Sequence, residues 1–413
     1  MKIYQVGGAV RDKLLNHPNK DRDWVVVGAS PEMLLKLGYT PVGRDFPVFL
    51  HPNTHEEYAL ARTERKTKPG YTGFNVYAAP EVTLTDDLQR RDLTINAMAL
   101  DNNGQLIDPF NGLSDLRAGI LRHVSSAFVE DPVRILRVAR FTARFGFSIA
   151  QETLALMAKM VENGEVDALV AERVWQETVR ALGEPRPQQF FEVLRSCGAL
   201  ARIFPEIDRL FDVPQSTESC SEPFWCLQQA RLKTSDTQIL FAVLTYDLAQ
   251  ETTSPKEWRG IELLEALCQR YPVPNQYRDL AILVARFHTH CQQVSIRGFS
   301  FLKKKLKPRI KFFEEKRLAS NALSPEALLD TLQQLDAFRR PQRFEQFLFT
   351  VELCGCNANQ PDSLEIFRRA YEIACQVDVA AVLADGFQKA AIGEELQRRR
   401  VQALAQFLLM VNG

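Results

Sequence analysis

The sequence lacks an uninterrupted apolar run of about 18 residues, the length that a transmembrane helix requires. Net charge is also missing, because 51 lysines and arginines balance 51 aspartates and glutamates. This balance argues against a protein that coats nucleic acid, but it leaves room for a local basic groove. The first residues lack the apolar core of a signal peptide. We therefore expect a globular, cytoplasmic protein with no membrane partner.

Cysteine is absent from the first 196 residues, and all eight cysteines follow that point. Internal repeats and low-complexity tracts are absent as well. The cysteine spacing matches no zinc module, and the neighbouring Cys354 and Cys356 are only a weak metal signal. We interpret the cysteines as free thiols of a reducing compartment.

The chain of 413 residues is long enough for roughly two to four domains. Up to about residue 110, short β-rich runs alternate with turns and helices, and after about Leu113 helical periodicity dominates. A break at 212–223 suggests a further boundary. The pattern predicts an α+β fold, with a head of a small β-sheet and helices at 1–112. A helical neck at 113–212 and an elongated all-α body at 213–413 complete the prediction.

Two aspartates, Asp21 and Asp23, stand one residue apart and lead into the apolar run 24–28. If this segment is a β-strand, both carboxylates share a face and Arg22 points away from it. Like charges on one face repel each other unless a cation lies between them, and Mg²⁺ prefers oxygen ligands. Taken alone, the pair is more typical of a turn in which both carboxylates are solvated.

The preceding segment favours the metal interpretation. Gly7 and Gly8 separate a predicted strand from a predicted helix, so backbone N–H groups can approach a phosphate closely there. Arg11 follows in the first turns of that helix, where its guanidinium can bind phosphate oxygens. A strand, a glycine turn, a helix with an arginine and then two aspartates describe a nucleoside triphosphate held against carboxylate-bound metal.

These segments resemble the class II tRNA nucleotidyltransferases, the CCA-adding enzymes of the polymerase β superfamily, and among them the gamma-proteobacterial type. The resemblance starts with GGAVRD and KDRDW and continues through RRDLTINAMA, DPFNGLSDL, EDPVRILRVARF and ERVWQETVRAL, over about the first 210 residues. It implies template-independent addition and repair of the 3′-terminal CCA of tRNA from CTP and ATP. It also implies in-line transfer with two Mg²⁺ ions and release of pyrophosphate.

The resemblance assigns roles to single residues. Asp21 and Asp23 are the expected catalytic residues and metal ligands. The expected nucleotide-binding residues are Gly8, Arg11, Arg91, Asp92, Asp131, Arg134, Arg137 and Arg140. Among them, Asp92 is expected at a ribose hydroxyl, and Asp131 with Arg134 at the base. Without the resemblance, Asp131 before Pro132 is typical of a helix N-cap and the arginines of a solvated face.

An Asp–Arg pair suits both bases chemically. Adenine and cytosine each present an exocyclic amino donor beside a ring-nitrogen acceptor, which a carboxylate and a guanidinium complement. Guanine and uracil present a carbonyl and an N–H at these positions, so both contacts are mismatched. One such pair would select C and A without a nucleic-acid template.

Two further features belong to the first half of the chain. Glu57, on a neighbouring predicted strand, is a candidate third carboxylate of the metal site. Residues 62–74 contain basic residues and two glycines, and we interpret them as a loop that moves during the reaction cycle.

The C-terminal half departs from the family's pattern. Gamma-proteobacterial relatives often carry an HD phosphohydrolase domain after about residue 220, which needs several histidines and an adjacent His–Asp pair to hold metal. This chain has six histidines, with none between His123 and His288, and Tyr246 precedes Asp247 where that pair is expected. We predict an HD-like helical scaffold without intact metal ligands and without phosphohydrolase activity.

Two basic stretches, 301–317 and 339–347, are candidates for contacts with RNA phosphates. The longer one, FLKKKLKPRIKFFEEKR, is as typical of a solvated helix face. We expect the acceptor and T arms of tRNA along the helical body, and the sequence implies no protein partner.

Other functions stay open on the sequence. A bacterial poly(A) polymerase is the nearest alternative, although GRDFPVFLHP at 43–52 looks more like the CCA-adding type. An enzyme that adds only C or only A would use the same residues. The intact aspartate pair argues against an inactive RNA-binding protein, and the scarce histidines argue against a metal phosphohydrolase.

Overall fold

The computed structural model describes residues 1–18, 22–42, 48–66, 74–211, 224–246, 248, 259–293, 324–354 and 362–412. The chain divides into two compact units. The first comprises Met1–Pro214 and Arg270–Pro272, and the second comprises Gln215–Gln269 and Val273–Gly413. The strands among the described residues lie in the first unit, and helices follow in the second. This confirms the predicted α+β head and helical body, whereas the boundary at residue 112 stays a prediction.

The first unit contains short strands, each bounded by a turn or a helix. They are β1 (Lys2–Val6), β2 (Asp23–Val27), β3 (Thr40–Val42), β4 (Val48–Leu50), β5 (Glu57–Leu60), β6 (Thr63–Lys66), β7 (Phe74–Tyr77), β8 (Ala99–Leu100), β9 (Leu106–Ile107), β10 (Ile120–Leu121) and β11 (Ser148–Ile149). Seven of them form one mixed sheet in the order β3-β4-β5-β2-β1-β8-β9. The pairs β6–β7 and β10–β11 form two small separate sheets.

The central strand β2 buries apolar residues on both faces of the sheet. Val25 packs in one cluster with Val6 and Leu88, whereas the next residue, Val26, packs in a second cluster with Leu34. Successive side chains of a strand point to opposite faces, so a continuous run of valines fits a strand that is covered on both sides. The sheet is thereby fixed firmly enough to hold polar groups at its strand ends.

The helices of the first unit pack around this sheet and continue beyond it. They are α1 (Gly8–Leu14), α2 (Pro31–Lys36), α3 (Leu84–Gln89), α4 (Gly112–Ala118), α5 (Val133–Phe145), α6 (Gln151–Glu162), α7 (Ala171–Gly183), α8 (Gln188–Ser196), α9 (Ala199–Ile203) and α10 (Pro205–Asp208). Helix α5 buries Leu136 and Val138 fully and packs against α7 and α8. It ends at Gly146, whose φ of 69° is the left-handed conformation that glycine adopts easily.

The described part of the second unit is helical. Its helices are α11 (Trp225–Lys233), α12 (Thr237–Tyr246), α13 (Arg259–Arg270, whose last residue belongs to the first unit), α14 (Asn275–Gln293), α15 (Pro325–Gln334), α16 (Pro341–Leu353), α17 (Asp362–Gln376), α18 (Val379–Ala384) and α19 (Ala390–Asn412). The core includes buried phenylalanines such as Phe241, Phe344 and Phe367. No helix in the described ranges combines the length and the apolarity that crossing a bilayer requires.

Candidate active site

One cleft of the first unit brings together the described residues that the sequence assigns to the nucleotide. Its volume of about 810 Å³ is typical of small-molecule sites. Ten arginines face four carboxylates along its described walls. The arginines are Arg11, Arg62, Arg90, Arg91, Arg134, Arg137, Arg140, Arg144, Arg173 and Arg180, and the carboxylates are Asp23, Glu57, Asp92 and Asp131. This excess of positive charge suits a polyanion such as a triphosphate.

Asp23 and Glu57 lie side by side at one end of the cleft. The parallel strands β2 and β5 pair in a register that sets Asp23 opposite Glu57, and both residues are exposed. Carboxylate oxygens on adjacent strands are a donor set that suits a hard cation such as Mg²⁺. Asp21, the other predicted ligand, lies outside the described residues. Within those residues no three His, Cys, Asp or Glu side chains form a metal-binding group.

The glycine turn of Gly7 and Gly8 lines the cleft and lies against Arg91. Gly7 has a φ of +68°, and a Cβ added there would lie 2.8 Å from Nη1 of Arg91. The positive φ strongly favours glycine at that position, and a larger residue would also displace the guanidinium of Arg91. Gly8 begins helix α1 and lines the cleft.

Arg11 lines the cleft, although its side chain is almost completely buried. Its Nε donates to Oδ1 of Asp12 at 2.8 Å, and its Nη1 donates to Oδ1 of Asn96. The guanidinium carbon lies 5.1 Å from the ring centre of Phe141 and 5.0 Å from that of Phe145. Burial lowers the pKa of Arg11, and the neighbouring Asp12 partly offsets that effect. The guanidinium of Arg11 is therefore a positive charge held in a fixed orientation at the wall of the cleft.

Arg91 lies at the end of helix α3, where its side chain is partly exposed to the cleft. Its Nη2 donates to Oδ2 of the fully buried Asp87 at 3.1 Å, and its Nη1 donates to the Asn96 carbonyl oxygen at 3.4 Å. Its buried Nε has no hydrogen-bond partner within the described part of the chain. Asp87 therefore orients Arg91 towards the glycine turn.

Asp92 is held by three hydrogen bonds. Its Oδ1 accepts from the Leu93 amide at 2.8 Å and from Nδ2 of Asn96 at 3.0 Å, and its Oδ2 accepts from Nε of Arg137 at 2.7 Å. Burial raises the pKa of Asp92, but the charge of Arg137 and these hydrogen bonds outweigh it and hold that pKa well below its usual range. Asp92 is therefore an anion whose role as a hydrogen-bond acceptor is stable at neutral pH.

Asp131 stands just before helix α5, where the sequence predicts either a helix N-cap or a base-binding residue. Its Oδ1 accepts from the Val133 amide at 3.1 Å, as a capping residue would, although the helix begins at Val133 and not at Pro132. The guanidinium of Arg173 also binds Asp131 through both oxygens, at 3.1 Å from Nη1 to Oδ1 and 2.9 Å from Nη2 to Oδ2. Asp131 also lines the cleft, in addition to these two contacts.

The three predicted arginines of α5 each have a fixed partner. Arg134 donates from Nη1 to the Ala127 carbonyl oxygen at 2.7 Å, and Arg137 binds Asp92. Arg140 donates from Nε to Oε2 of the buried Glu177 on α7 at 2.6 Å. All three line the cleft, and their spacing of three residues along α5 sets them on a shared wall. Together with Asp131 they form a stripe, the Asp131–Arg140 stripe. The structure adds that these arginines are anchored to the protein and are not a merely solvated face.

Sequence reasoning missed part of the arginine wall. Arg62, Arg90, Arg144, Arg173 and Arg180 received no role. Arg144 continues the stripe of Arg137 and Arg140 by one further turn of α5, and this spacing could have revealed it. Arg173 and Arg180 lie seven residues apart on α7, two turns of one helix face, within the recognised segment ERVWQETVRAL.

Several predictions fall wholly or partly outside the described residues. These are Asp21, residues 43–47 of the stretch 43–52, residues 67–73 of the proposed mobile loop, Asp247 and the basic stretch 301–317. In the second unit, Arg340 and Arg343 of the stretch 339–347 both pair with Asp336. His288 is buried, its Nδ1 lies 2.9 Å from the Val284 carbonyl oxygen, and its ring packs edge-on against Tyr246. His288 is therefore a packed residue of that core.

Two parts of the chain match the models of known protein families. Residues 3–122 match the Poly A polymerase head domain, and residues 146–211 match the family described as "Probable RNA and SrmB- binding site of polymerase A". A multifunctional CCA protein of Thioalkalivibrio sulfidiphilus is 52% identical, and the match covers 98% of each chain. The chain belongs to the multifunctional CCA protein family. A second member, from Nitrosococcus oceani, is 51% identical over 98% of each chain.

The fold agrees with this membership. A solved CCA-adding enzyme in complex with ATP superposes with a TM-score of 0.66 at 21% identity. The match covers 98% of this chain and 86% of that one. The likeness therefore extends through both units and confirms the polymerase-type head with its helical continuation.

Proposed function

We propose that this protein adds and repairs the 3′-terminal CCA sequence of tRNA with CTP and ATP, without a nucleic-acid template. The observation that carries the proposal is the cleft, in which the glycine turn, Asp23, Asp92 and the Asp131–Arg140 stripe face one space. Membership of the multifunctional CCA protein family supports the same reaction. We place the protein in the cytoplasm, where tRNA precursors and nucleoside triphosphates meet.

The reacting atoms are the 3′-hydroxyl oxygen of tRNA and the α-phosphorus of the nucleotide, and pyrophosphate leaves. Asp21 and Asp23 would hold Mg²⁺, with Glu57 beside them, and Mg²⁺ held there would supply Lewis-acid activation of the 3′-hydroxyl and charge neutralisation for the leaving group. Arg11 and the glycine turn bind and orient the triphosphate. This orientation keeps the scissile bond opposite the attacking hydroxyl.

The base and the ribose are bound by the opposite wall. Asp131 accepts from the exocyclic amino group of cytosine or adenine, and Arg134 donates to the adjacent ring nitrogen. Asp92 accepts from a ribose hydroxyl, because its carboxylate is ionised and lines the cleft. Arg137, fixed by Asp92, and Arg140, fixed by Glu177, hold the remaining polar groups of the nucleotide.

We also propose that the second unit binds the acceptor and T arms of tRNA and has no phosphohydrolase activity. Tyr246 stands where a metal-binding histidine is expected, and its ring centre lies 4.9 Å from that of His288. Burial lowers the pKa of His288, and its Nδ1 already donates to a backbone carbonyl. These contacts support a packing role. Release of inorganic phosphate from a 2′,3′-cyclic or 3′-phosphate substrate by the purified protein would contradict it.

The function is tested with three tRNA substrates that end before CCA, after C and after CC. Each is incubated with Mg²⁺ and one labelled nucleotide. We expect CTP to extend the first two substrates and ATP to extend the third. Repeated addition of A would indicate a poly(A) polymerase, and use of only one nucleotide would indicate a partial enzyme. Failure of both nucleotides would contradict the proposal.

A further inference from the structure

Asp131 offers few acceptor positions to a nucleotide. A carboxylate has about four lone-pair positions on its two oxygens. Oδ1 of Asp131 already accepts from the Val133 amide and from Nη1 of Arg173. Oδ2 accepts from Nη2 of Arg173. About one acceptor position therefore remains, on Oδ2, while the side chain keeps 20% of its surface exposed.

Arg173 also fixes the direction of that position. A guanidinium that binds both oxygens of a carboxylate in parallel holds its plane as well as its distance. Arg173 lies on α7, and the same helix carries Glu177, which binds Arg140. Two positions of α7 one turn apart therefore hold α5 and the segment just before it: Glu177 binds Arg140, and Arg173 binds Asp131. The carboxylate of Asp131 cannot rotate unless this fork is broken.

We propose that Arg173 is a positioning residue that determines which bases the enzyme accepts, by leaving Asp131 one fixed acceptor for one exocyclic amino group. The inference rests on the proposed function, in which Asp131 and Arg134 bind the base. Arg134 is itself fixed, because it donates to the carbonyl oxygens of Ala127 and Arg90. The spacing between the acceptor and the donor is therefore set by the protein and not by the base.

Loss of the fork would change this selection in a definite direction. A carboxylate that can shift would accept from the N3–H of uracil or the N1–H of guanine, while Arg134 donates to the neighbouring carbonyl. CTP and ATP would lose a matched contact, and UTP and GTP would gain one. Arg173→Gln should therefore lower the ratio of kcat/KM for CTP over UTP by about tenfold or more. The ratio for ATP over GTP should fall in the same way.

Two variants and a control separate this role from a purely structural one. Arg173→Lys keeps the charge but loses the parallel fork, and we expect an intermediate loss of selection. It also carries the test if Arg173→Gln does not fold. Arg202→Gln is the control, because Arg202 forms a similar two-pronged pair with Asp167 on the exposed surface, outside the cleft. Its nucleotide selection should match that of the unchanged protein.

The decisive measurement is kcat/KM for all four nucleotides, with the full chain and tRNA ending before CCA or after CC. An equal fall for all four nucleotides, or unchanged ratios, would overturn the proposal. In an Asp131→Ala background, Arg173→Gln should cause no further change of the ratios, and a further change would also overturn it. If the unchanged protein added neither C nor A, the proposed function itself would fail. This outcome is seen without any variant, so it is distinguishable from a failure of the role proposed for Arg173.

Discussion

At the scale of single residues, Glu56 and Glu57 are neighbours in the chain but differ in their surroundings. Glu57 lines the cleft opposite Asp23, whereas Glu56 accepts from Nε1 of Trp24 at 3.0 Å. We expect Asp23→Asn to lower kcat for C addition by about a hundredfold or more, because the proposed Mg²⁺ site would lose the charge of one ligand. Glu57→Gln should lower it less, and Glu56→Gln should leave it unchanged. Single-turnover addition measures all three.

Circular dichroism of these variants establishes that their fold is intact. Asp21→Ala should resemble Asp23→Asn, although Asp21 lies outside the described residues. Full activity of either aspartate variant would refute the metal assignment. Equal losses for Glu56→Gln and Glu57→Gln would instead show that the register of β5 does not matter for the reaction.

Asp92 and Arg137 predict a pH dependence of stability. Folding lowers the pKa of Asp92 from its value of about 3.8 in the unfolded chain. Its ion pair with Arg137 therefore stabilises the fold fully at a pH above about 3.8. This contribution is lost as the pH falls towards the lowered pKa of the folded state. Asp92→Asn should lower the free energy of unfolding by roughly 1–3 kcal/mol at pH 5–8. The difference between the two proteins should shrink below about pH 4.

Denaturant unfolding between pH 3 and pH 8 measures this difference. A difference that grows towards acid would contradict the assignment, because it would require a pKa raised by folding. The activity of the unchanged protein between pH 5 and pH 8 should accordingly show no transition that Asp92→Asn removes.

At the scale of secondary-structure elements, Gly112 allows the close approach of α4 to residues 94–98, which follow Asp92 in the chain. A Cβ added at Gly112 would overlap the Thr94 carbonyl oxygen, a backbone atom, and would lie 3.0 Å from Cγ of Met98. We expect Gly112→Ala to destabilise the protein by about 1–3 kcal/mol, the usual cost of overpacking. Thermal or denaturant unfolding measures it.

Gly393 is the matched control. It lies within helix α19, and among the described residues a Cβ there would meet no atom within 4 Å outside its own stretch of helix backbone. Gly393→Ala should leave stability unchanged or raise it by about 0.5–1 kcal/mol, because alanine loses less entropy in a helix. Equal effects of the two substitutions would contradict the packing described for Gly112.

The elements of the cleft differ in how far the sequence could predict them. The run of valines in β2 and the spacing of three residues in α5 report local periodicity, so their faces were predictable. The pairing of Asp23 with Glu57 depends on which strands become neighbours, which no local pattern encodes. Arg173 shows the same limit, since its partner Asp131 is 42 residues away. Contacts between residues that are far apart in the chain could be identified only from the three-dimensional structure.

At the scale of the whole molecule, the net charge is zero, but the charges are distributed unevenly along the chain. The stretch 301–317 contains Lys303, Lys304 and Lys305 in a row. Changing these three lysines to Gln should weaken tRNA binding and flatten the slope of log K against log salt concentration, because fewer phosphates are neutralised. The control changes the exposed Lys2, Lys13 and Lys36 of the head to Gln, which removes the same charge. Filter binding at several salt concentrations compares the two.

Equal weakening by both sets of changes would contradict a specific role of the stretch. Resemblance and composition could predict that the C-terminal half is helical. They could not assign contacts there, because basic helix faces that bind RNA and those that are only solvated have the same composition.

If one cleft selects C and A, addition to a tRNA that ends before CCA should stop after three nucleotides. The experiment incubates this tRNA with Mg²⁺ and all four nucleoside triphosphates and then sequences the 3′ ends. We expect ends that read CCA, with intermediates of C and CC and no longer product. Tails of repeated A, ends that contain U or G, or unchanged tRNA would contradict this expectation.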